Sequence, residues 1–286
     1  MRKLSKKILS LYAKKAIIGL ASVAMVATMS LSTINVSPVK GATTSSTLVW
    51  SDEFNGNSID ASKWGFEIGT GSNGWGNNEQ QYYTNRTDNA YVADGALHIR
   101  AKKEAYGGKN YTSARLNTNG KFTFTYGYVE ARLALPSSQG IWPAFWMLGA
   151  NIGSVGWPSC GEIDIMEEVG VVPNEVSSSI HTQDYNHTIG TQKTHAMTIE
   201  QAEGEFHLYA LEWTEDAITT YVDGKVQLAV TKQQLGAGHN QWPFHYAFYP
   251  ILNLAWGGDW GGMNGVDESA LPVTMKVDYV RVFQKK

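Results

Sequence analysis

Four carboxylates fall within seven residues of the stretch GEIDIMEEVG, residues 161–170. Glu162 and Asp164 are two residues apart, so their side chains share one face of a β-strand. Glu167 is five residues from Glu162, and a regular strand would direct it to the opposite face. One extra residue in a β-bulge would restore the alignment, and Met166 is the best candidate for that residue.

With the bulge, the Cα atoms of Glu162 and Glu167 would lie about 13 Å apart along the strand. Inward-leaning side chains could bring their carboxyls to about 5 to 5.5 Å, the separation that retaining glycosidases use. One carboxylate would attack the anomeric carbon, and the other would act first as acid and then as base. Asp164 lies between them and could hydrogen-bond one carboxyl. Spacing alone does not decide which Glu attacks, and a solvated strand face or a calcium-binding cluster would also explain the acids.

Aromatic residues favour the sugar chemistry. All ten Trp residues follow residue 41, and Trp142 and Trp146 are four residues apart, on one face if the run is extended. Aromatic rings stack on the apolar faces of pyranoses, so a groove lined with Trp is typical of polysaccharide binding. Core packing is the alternative for each Trp, and the strand-like contexts of Trp64 and Trp213 favour the core.

The elements that would position these residues are strands. From Leu48 onward, short runs of Val, Ile, Thr and aromatic residues alternate with turn signals, and only residues 231–235 suggest a helical turn. Many short strands in an unbroken chain predict an all-β sandwich or barrel. Three dipeptides predict hairpin turns: Asp94-Gly95, Asn119-Gly120 and Asp223-Gly224.

Residues 1–41 have the layout of a secretory signal, with a basic start, an apolar run and a polar exit. We expect cleavage near Gly41 or Ala42, secretion, and no membrane association after cleavage. A membrane anchor is the alternative, because the apolar run approaches the length of a membrane span. Ser and Thr towards the end of the run favour a removed signal. Residues 42–286 then form a single catalytic β-sandwich domain.

The charge of the remaining chain limits its partners. The first 41 residues carry seven bases and no acid, which leaves 16 bases against 26 acids and a formal charge of −10. That excess of acids argues against nucleic-acid binding and weakly against polyanionic substrates, whereas neutral polymers stay open. Cys160 is the only cysteine, so we expect a small apolar core residue and no internal disulfide. We expect a monomer.

The sequence resembles glycoside hydrolase family 16, in particular its bacterial laminarinases, which are endo-β-1,3-glucanases. The resemblance covers residues 47–284 and implies a jelly-roll β-sandwich of two antiparallel sheets with a concave substrate cleft. The E-x-D-x-x-E spacing resembles the bulged branch of the family, whereas E-x-D-x-E is typical of the unbulged lichenases. Five segments carry the match: NNEQQYYT (77–84), YTSARLNTNGKF (111–122), GIWPAFWMLG (140–149), WPSCGEIDIMEEVG (157–170) and VDYVRVF (277–283).

The resemblance also implies roles for individual residues. Glu162 would be the nucleophile, Asp164 the assisting carboxylate and Glu167 the acid/base. Trp256 stands where relatives more often have a smaller residue, so we expect it to narrow or lengthen the groove. Glu168 also departs from the family pattern. We expect it to face away from Glu167 in a bulged strand, whereas a bulge placed differently would put Glu168 in the site instead. Five further residues are expected to contact sugar: Asn77, Arg115, Trp142, Trp146 and His181. For His181 a purely structural role is nearly as good an explanation.

No cofactor is expected for catalysis, but the family often carries a structural calcium. Its implied ligands are Glu53, the backbone of Gly95 and Asp278. The expected function is hydrolysis of internal β-1,3 bonds in laminarin-like β-glucans. The alternatives are a mixed-linkage β-1,3-1,4-glucanase, a non-catalytic β-glucan-binding protein, or another enzyme on this fold, such as an agarase, a carrageenase or a transglycosylase.

Overall fold

Strands account for most of the regular structure in residues 46–285, the range that this computed structural model describes. The predicted signal, residues 1–41, lies outside the described residues, so its cleavage remains a prediction. None of the helices between residues 46 and 285 is both long and apolar enough to cross a membrane.

The strands are joined by tight turns in some places and by longer loops in others. The first nine are β1 Ser46–Asp52, β2 Gly65–Phe66, β3 Gln81–Tyr83, β4 Ala90–Ala93, β5 Ala96–Tyr106, β6 Lys109–Ser113, β7 Arg115–Asn117, β8 Gly127–Ala134 and β9 Ile141–Gly149. The others are β10 Glu162–Glu168, β11 Glu175–His181, β12 Lys193–Thr198, β13 Phe206–Trp213, β14 Ala217–Val222, β15 Lys225–Thr231, β16 Phe248–Trp256 and β17 Val273–Lys285. The helices are single turns: α1 Ile152–Val155, α2 Lys232–Leu235 and α3 Gly258–Gly261, with 3-10 turns at His187–Ile189 and Glu268–Ala270.

Two sheets enclose a shared hydrophobic core. The ten-stranded sheet has the order β15-β14-β13-β8-β17-β5-β6-β3, with β1 beside β17 and β4 beside β5. The seven-stranded sheet has the order β12-β11-β10-β9-β16-β7-β2. Neighbouring strands are antiparallel except β3 and β6, which are parallel. The predicted all-β jelly-roll sandwich is confirmed.

Alternation along the strands fills the core. In β13, every second residue from Tyr209 to Trp213 faces the core, and Tyr209, Leu211 and Trp213 are each at most 1% exposed. Trp64 is also 1% exposed, so both Trp residues predicted to be core lie there. Fully burying an aliphatic side chain such as Leu211 contributes about 1.5 to 3 kcal/mol relative to leaving it exposed.

Cys160 is a core residue, as predicted. It is 0% exposed and packs in a small cluster with Leu148, Tyr249 and Ile251. Burial raises the pKa of its thiol to about 12, and the charge of Glu162 adds to the rise. A thiol that stays protonated is a poor nucleophile, so Cys160 fills space and takes no part in chemistry.

Two of the three predicted hairpins are confirmed. Asp94-Gly95 joins β4 to β5 and Asp223-Gly224 joins β14 to β15, with positive φ at all four residues. The prediction at Asn119-Gly120 is wrong, because the chain leaves β7 in the seven-stranded sheet there and crosses to β8 in the other sheet. The predicted helical turn is confirmed as α2, which a capping box at Thr231 begins.

Candidate active site

Strand β10 contains the predicted bulge. On the β9 side, Asp164 lies opposite Trp146 and Met166 lies opposite Phe145, so Ile165 is the extra residue. The expectation that Met166 would be the unpaired residue is therefore wrong on this side. The reason is that both candidates are apolar and 0% exposed, so their side chains satisfy the core equally well.

On the β11 side, the two bulge residues together face a single residue, Ser178. Asp164 lies opposite Ser179 and Glu167 opposite Ser177, which leaves three steps on β10 against two on β11. The hydroxyl of Ser178 donates a hydrogen bond of 2.7 Å to the carbonyl of Asp164. This bond satisfies a backbone acceptor at the point where the bulge disturbs the ladder.

The bulge brings the three predicted carboxylates to one face. Glu162, Asp164 and Glu167 each lie opposite a residue of the sheet's outer face, whereas Ile163 and Glu168 are 0% exposed on the inner face. The predicted shared face and the opposite orientation of Glu168 are both confirmed. We call this outer face, with the loops at its two ends, the cleft.

Each of the two glutamates accepts a hydrogen bond from an indole. Trp157 Nε1 donates to Glu162 Oε2 at 3.0 Å, and Trp142 Nε1 donates to Glu167 Oε1 at 3.0 Å. The two indoles come from opposite ends of the sheet, since Trp157 lies in the loop before β10 and Trp142 lies near the start of β9. Sequence reasoning missed this role of Trp157, although the residue lies only five positions before Glu162.

His181 belongs to the same cluster. It lies opposite Glu162 on β11, and its Nε2 is 3.2 Å from Asp164 Oδ2 and 3.7 Å from Glu162 Oε1. Its side chain is 8% exposed. These contacts place His181 against the two acids, so a role at the site is better supported than a purely structural one, while its contact with sugar stays a prediction.

Burial raises the pKa of Glu162, Asp164 and Glu167 each to about 8. The charge of Asp164 adds to the rise for both glutamates, and a hydrogen bond with Glu162 opposes it for Asp164. Because the three carboxyls repel one another when ionised, they lose their protons one at a time. Once the first proton has left, the cluster holds both an ionised carboxylate that can attack and a carboxyl that can still donate a proton.

Arg115 lies in a stack between two indoles. Its guanidinium carbon is 4.7 Å from the ring centre of Trp75 and 4.7 Å from that of Trp146, and its Nε pairs with Glu67. Such contacts stabilise a cation by about 0.5 to 2 kcal/mol each. Arg115 is 9% exposed, so it holds the two indoles in place, and its predicted bonds to glucose hydroxyls stay a prediction. Trp75 was not singled out from the sequence.

A chain of hydrogen bonds connects the predicted sugar-contacting residues Asn77 and Trp146. Asn77 hydrogen-bonds Glu79, which is 5% exposed and accepts from the Tyr83 hydroxyl at 3.1 Å. Asn253 Nδ2 donates to the same hydroxyl at 3.2 Å, and Asn253 Oδ1 accepts from Trp146 Nε1 at 2.7 Å. The chain fixes the Trp146 ring relative to the loop that carries Asn77.

The prediction that Trp256 shapes the groove is wrong. Its neighbour Ala255 lies opposite Trp142 on the cleft side, so Trp256 points the other way, into the core, and is 0% exposed. Trp260, in α3, lies near the cleft instead, with its ring centre 5.4 Å from that of Trp142 in an edge-to-face arrangement. Sequence reasoning missed it because α3 is a single turn with no periodic pattern.

The predicted calcium ligands lie away from the cleft. Gly95 is in the β4–β5 turn, and both Glu53 and Asp278 bond arginines: Glu53 accepts from Arg281 at 2.9 and 2.7 Å, and Asp278 accepts from Arg132 at 2.7 Å. A carboxylate that is already neutralised by a guanidinium is a weak calcium ligand. As arranged, these residues do not fit a calcium ion, and calcium binding stays a prediction that requires new contacts for both carboxylates.

Removing either indole donor should shift one limb of the pH profile. Without an N–H donor the carboxylate loses stabilisation, so the pKa of its glutamate rises further. If Glu162 attacks and Glu167 protonates, Trp157→Phe moves the acidic limb of kcat/KM to higher pH, and Trp142→Phe moves the basic limb to higher pH. Each change should lower kcat/KM by about 10- to 100-fold, the value of a hydrogen bond to a charged group.

The matched control for the indole variants is Trp146→Phe. Its indole donates to Asn253 and not to an acid, so both limbs should stay in place even if binding weakens. Limbs that move equally in all three variants would show that the indoles act through packing alone.

Glu168 should make stability depend on pH. Glu168 Oε1 accepts a hydrogen bond of 2.8 Å from the backbone N–H of Asn174, whereas Oε2 has no hydrogen-bond partner in the described residues. Burial raises the pKa of Glu168 from 4.5 to about 8, and the charge of Glu203 adds to the rise. Between these two values the unfolded chain gives up a proton that the folded chain keeps, so stability falls as pH rises. Glu168→Gln should therefore raise the Tm at pH 8 and leave it nearly unchanged at pH 4.5. An equal gain at both values in thermal unfolding would contradict this account.

Several comparisons with known proteins agree with this geometry. The family model "Glycosyl hydrolases family 16" matches residues 77–281. A beta-glucanase from Rhodothermus marinus is 47% identical over 244 residues, which covers 83% of this chain and 85% of that protein. The family match and the alignment with this relative each extend over most of the described residues.

Solved structures show the same relationship. The laminarinase from Rhodothermus marinus superposes with a TM-score of 0.81 at 45% identity, covering 84% of this chain and 98% of that one. SCLam, described as a non-specific endo-beta-1,3(4)-glucanase, superposes with a TM-score of 0.80 at 44% identity, covering 85% of this chain and 93% of that one. The chain is a glycoside hydrolase and belongs to glycosyl hydrolases family 16.

Proposed function

We propose that this chain is a secreted endo-glycosidase that hydrolyses internal β-1,3-glucosidic bonds of laminarin-like β-glucans with retention of the anomeric configuration. The observation that carries the proposal is the bulge in β10, because it turns Glu162 and Glu167 to one face and leaves Asp164 between them. The glucanase activity named for the Rhodothermus marinus relative supports the choice of substrate.

The proposed reaction has two displacements. The Glu162 carboxylate attacks the anomeric carbon while the Glu167 carboxyl protonates the oxygen of the leaving glucose. Glu167, now ionised, takes a proton from water, and the hydroxide oxygen attacks the anomeric carbon and releases Glu162. Asp164 is hydrogen-bonded to Glu162, so it can hold a proton beside the nucleophile and limit the build-up of negative charge.

The indoles give the cleft its affinity for neutral sugars. Trp142, Trp146 and Trp157 are all half-buried, which leaves part of each ring open on the outer face. A pyranose presents apolar C–H faces to such rings, while its hydroxyls remain free for polar neighbours. Binding by stacking suits an uncharged glucan, in agreement with the excess of acids in the chain.

A mixed-linkage activity is the second candidate. SCLam, at 44% identity, is described as a non-specific endo-beta-1,3(4)-glucanase, and the superposition covers 85% of this chain. The same two glutamates would cut both linkages, and only the shape of the cleft beside the cut bond would distinguish them.

One set of assays tests the proposal. The purified protein is incubated with laminarin, lichenan, agarose and xyloglucan, product sizes are followed with time, and NMR identifies the anomer released first. We expect intermediate-length products from laminarin and the β-anomer first. An initial α-anomer would overturn retention, products from lichenan alone would favour the second candidate, and binding without products would favour a glucan-binding protein. Sequencing the N-terminus of the protein from the culture medium tests secretion and cleavage near Gly41.

A further inference from the structure

Three side chains of the cleft place metal-ligand atoms close together. Glu162, Asp164 and His181 each offer one such atom, and the three atoms lie within 4.8 Å of one another. Within residues 46–285, no other group of three or more His, Cys, Asp or Glu side chains does so. The separations from His181 Nε2 are 3.2 Å to Asp164 Oδ2 and 3.7 Å to Glu162 Oε1.

One of these atoms is buried without a hydrogen bond. Asp164 is 3% exposed, and its Oδ2 has no hydrogen-bond partner of adequate geometry in the described residues, although His181 Nε2 is close. A buried carboxyl oxygen that lacks a hydrogen-bond partner is destabilising, because it has lost its contacts with water and gained none in return. The oxygen is directed at the histidine, and a cation between the two residues would satisfy it.

We propose that Glu162, Asp164 and His181 form a Zn²⁺ site, and that a bound ion blocks hydrolysis. Zinc takes imidazole nitrogen and carboxylate oxygen at about 2.0 to 2.2 Å, which sets neighbouring tetrahedral ligands about 3.3 to 3.5 Å apart. The two separations from His181 Nε2, 3.2 and 3.7 Å, lie on either side of that value. The separation between the two carboxylate oxygens is at most 4.8 Å, so zinc would have to draw these two side chains together as far as that separation exceeds the tetrahedral value. Three protein ligands leave a fourth position for water.

The ligand set also selects between ions. Calcium requires six to eight oxygen ligands and magnesium a near-octahedral oxygen shell, whereas this site offers two carboxylates and one nitrogen. Like charges on the two acids repel each other, and a divalent cation removes that repulsion. The site therefore favours zinc over the hard ions.

A zinc ion bound at this site would prevent hydrolysis. The oxygen that would bind zinc belongs to Glu162, and a carboxylate bound to zinc cannot attack the anomeric carbon. The ion also fills the space in which the sugar ring must lie, so glucan and zinc should compete. This inhibitory part rests on the proposed function, whereas zinc binding itself does not.

Isothermal titration calorimetry with ZnCl₂ tests binding on the purified protein, with MgCl₂ as the control ion. We expect one zinc per chain and no heat from magnesium. His181→Gln should weaken zinc binding by at least about tenfold, the effect of losing about 1.4 kcal/mol of ligand interaction. His187→Gln is the matched control, because the ring of His187 lies 5.3 Å from that of His181 but is outside the ligand set.

Laminarin hydrolysis at increasing zinc tests inhibition. We expect activity to fall with occupancy, to return when EDTA is added, and to resist zinc more at high laminarin concentration. The absence of zinc binding at millimolar concentration, or equal affinity in His181→Gln and the unaltered protein, would overturn the proposal. Asp164→Asn is the second variant if His181→Gln unfolds, as judged by its Tm, and it should also weaken zinc binding.

The outcomes separate this proposal from the proposed function. Zinc binding in a protein that hydrolyses no glucan would remove the function and leave the metal site. Glucan hydrolysis by a protein that binds no zinc would support the proposed function and remove the metal site.

Discussion

Glu162→Gln and Glu167→Gln are each expected to abolish turnover of laminarin while leaving the fold intact. Gln keeps the size of each side chain and can still accept the indole hydrogen bond, so the structural change is small. The amide can neither attack the anomeric carbon nor donate the required proton, and we expect losses of about 10⁴-fold or more. Initial rates on laminarin, with thermal unfolding as the check on folding, measure the effect.

Truncation to alanine should reveal which glutamate does what, because azide can take the place of a missing carboxylate. In Glu162→Ala, azide would attack the anomeric carbon of an aryl β-laminarioligosaccharide once, which inverts it and gives the α-glycosyl azide. In Glu167→Ala, the aryl group leaves without acid help and azide attacks the glycosyl-enzyme, so two inversions give the β-glycosyl azide. The reverse pattern would exchange the roles.

The control for both glutamate experiments is Glu168→Gln. This carboxyl is also in β10 and also has a pKa raised by burial, but it is directed into the core. Its replacement should leave kcat/KM within a few-fold of the unaltered protein. A large loss would mean that the inner-face acid acts on the cleft through the strand.

The odd spacing of Glu162 and Glu167 explains why the bulge in β10 could be predicted from the sequence. A strand places residues on alternate faces, so the five-residue step from Glu162 to Glu167 requires an irregularity if both are to act on one sugar. The sequence could not locate the irregularity within one residue. Ile165 and Met166 are both apolar, and either could have been left out of the β9 ladder.

The direction of the Trp256 side chain was predicted wrongly because the sequence of β16 does not show which residues face the core and which face the cleft. All nine residues of β16 are buried, since the core covers one face and the cleft's own side chains cover the other. The sequence FYPILNLAW accordingly shows no alternation of apolar and polar residues. Only the register with β9, which sets Ala255 opposite Trp142, fixes the direction of Trp256.

The roles of the loop residues at the site could not be predicted for a different reason. Trp157 and Trp260 lie outside the strands, so their directions depend on tertiary contacts that no local period reports. Asn119-Gly120 fails in the same way, because the dipeptide signals a turn without naming the strand that follows. Gly161 is a partial exception: its φ of 79° immediately before Glu162 suits glycine, which marks the turn into β10.

The bulge itself should control activity through the direction of Glu167. Inserting one alanine between Met166 and Glu167 adds a residue to a strand whose pairing is fixed at Glu162 by β9 and β11. A one-residue shift turns the following side chains to the opposite face. We expect Glu167 to face the core and laminarin hydrolysis to be lost, with circular dichroism confirming that the sheets remain.

Deleting Met166 is the matched control, and it should do far less damage to activity. The shortened strand has the spacing E-x-D-x-E, so Glu167 pairs regularly with Ala144 and Ser177 and keeps its face. Losing a buried Met side chain costs about 2 to 5 kcal/mol, so the Tm should fall while hydrolysis remains measurable. A folded insertion variant with normal activity, or a folded deletion variant as inactive as the insertion, would show that something other than strand parity positions Glu167.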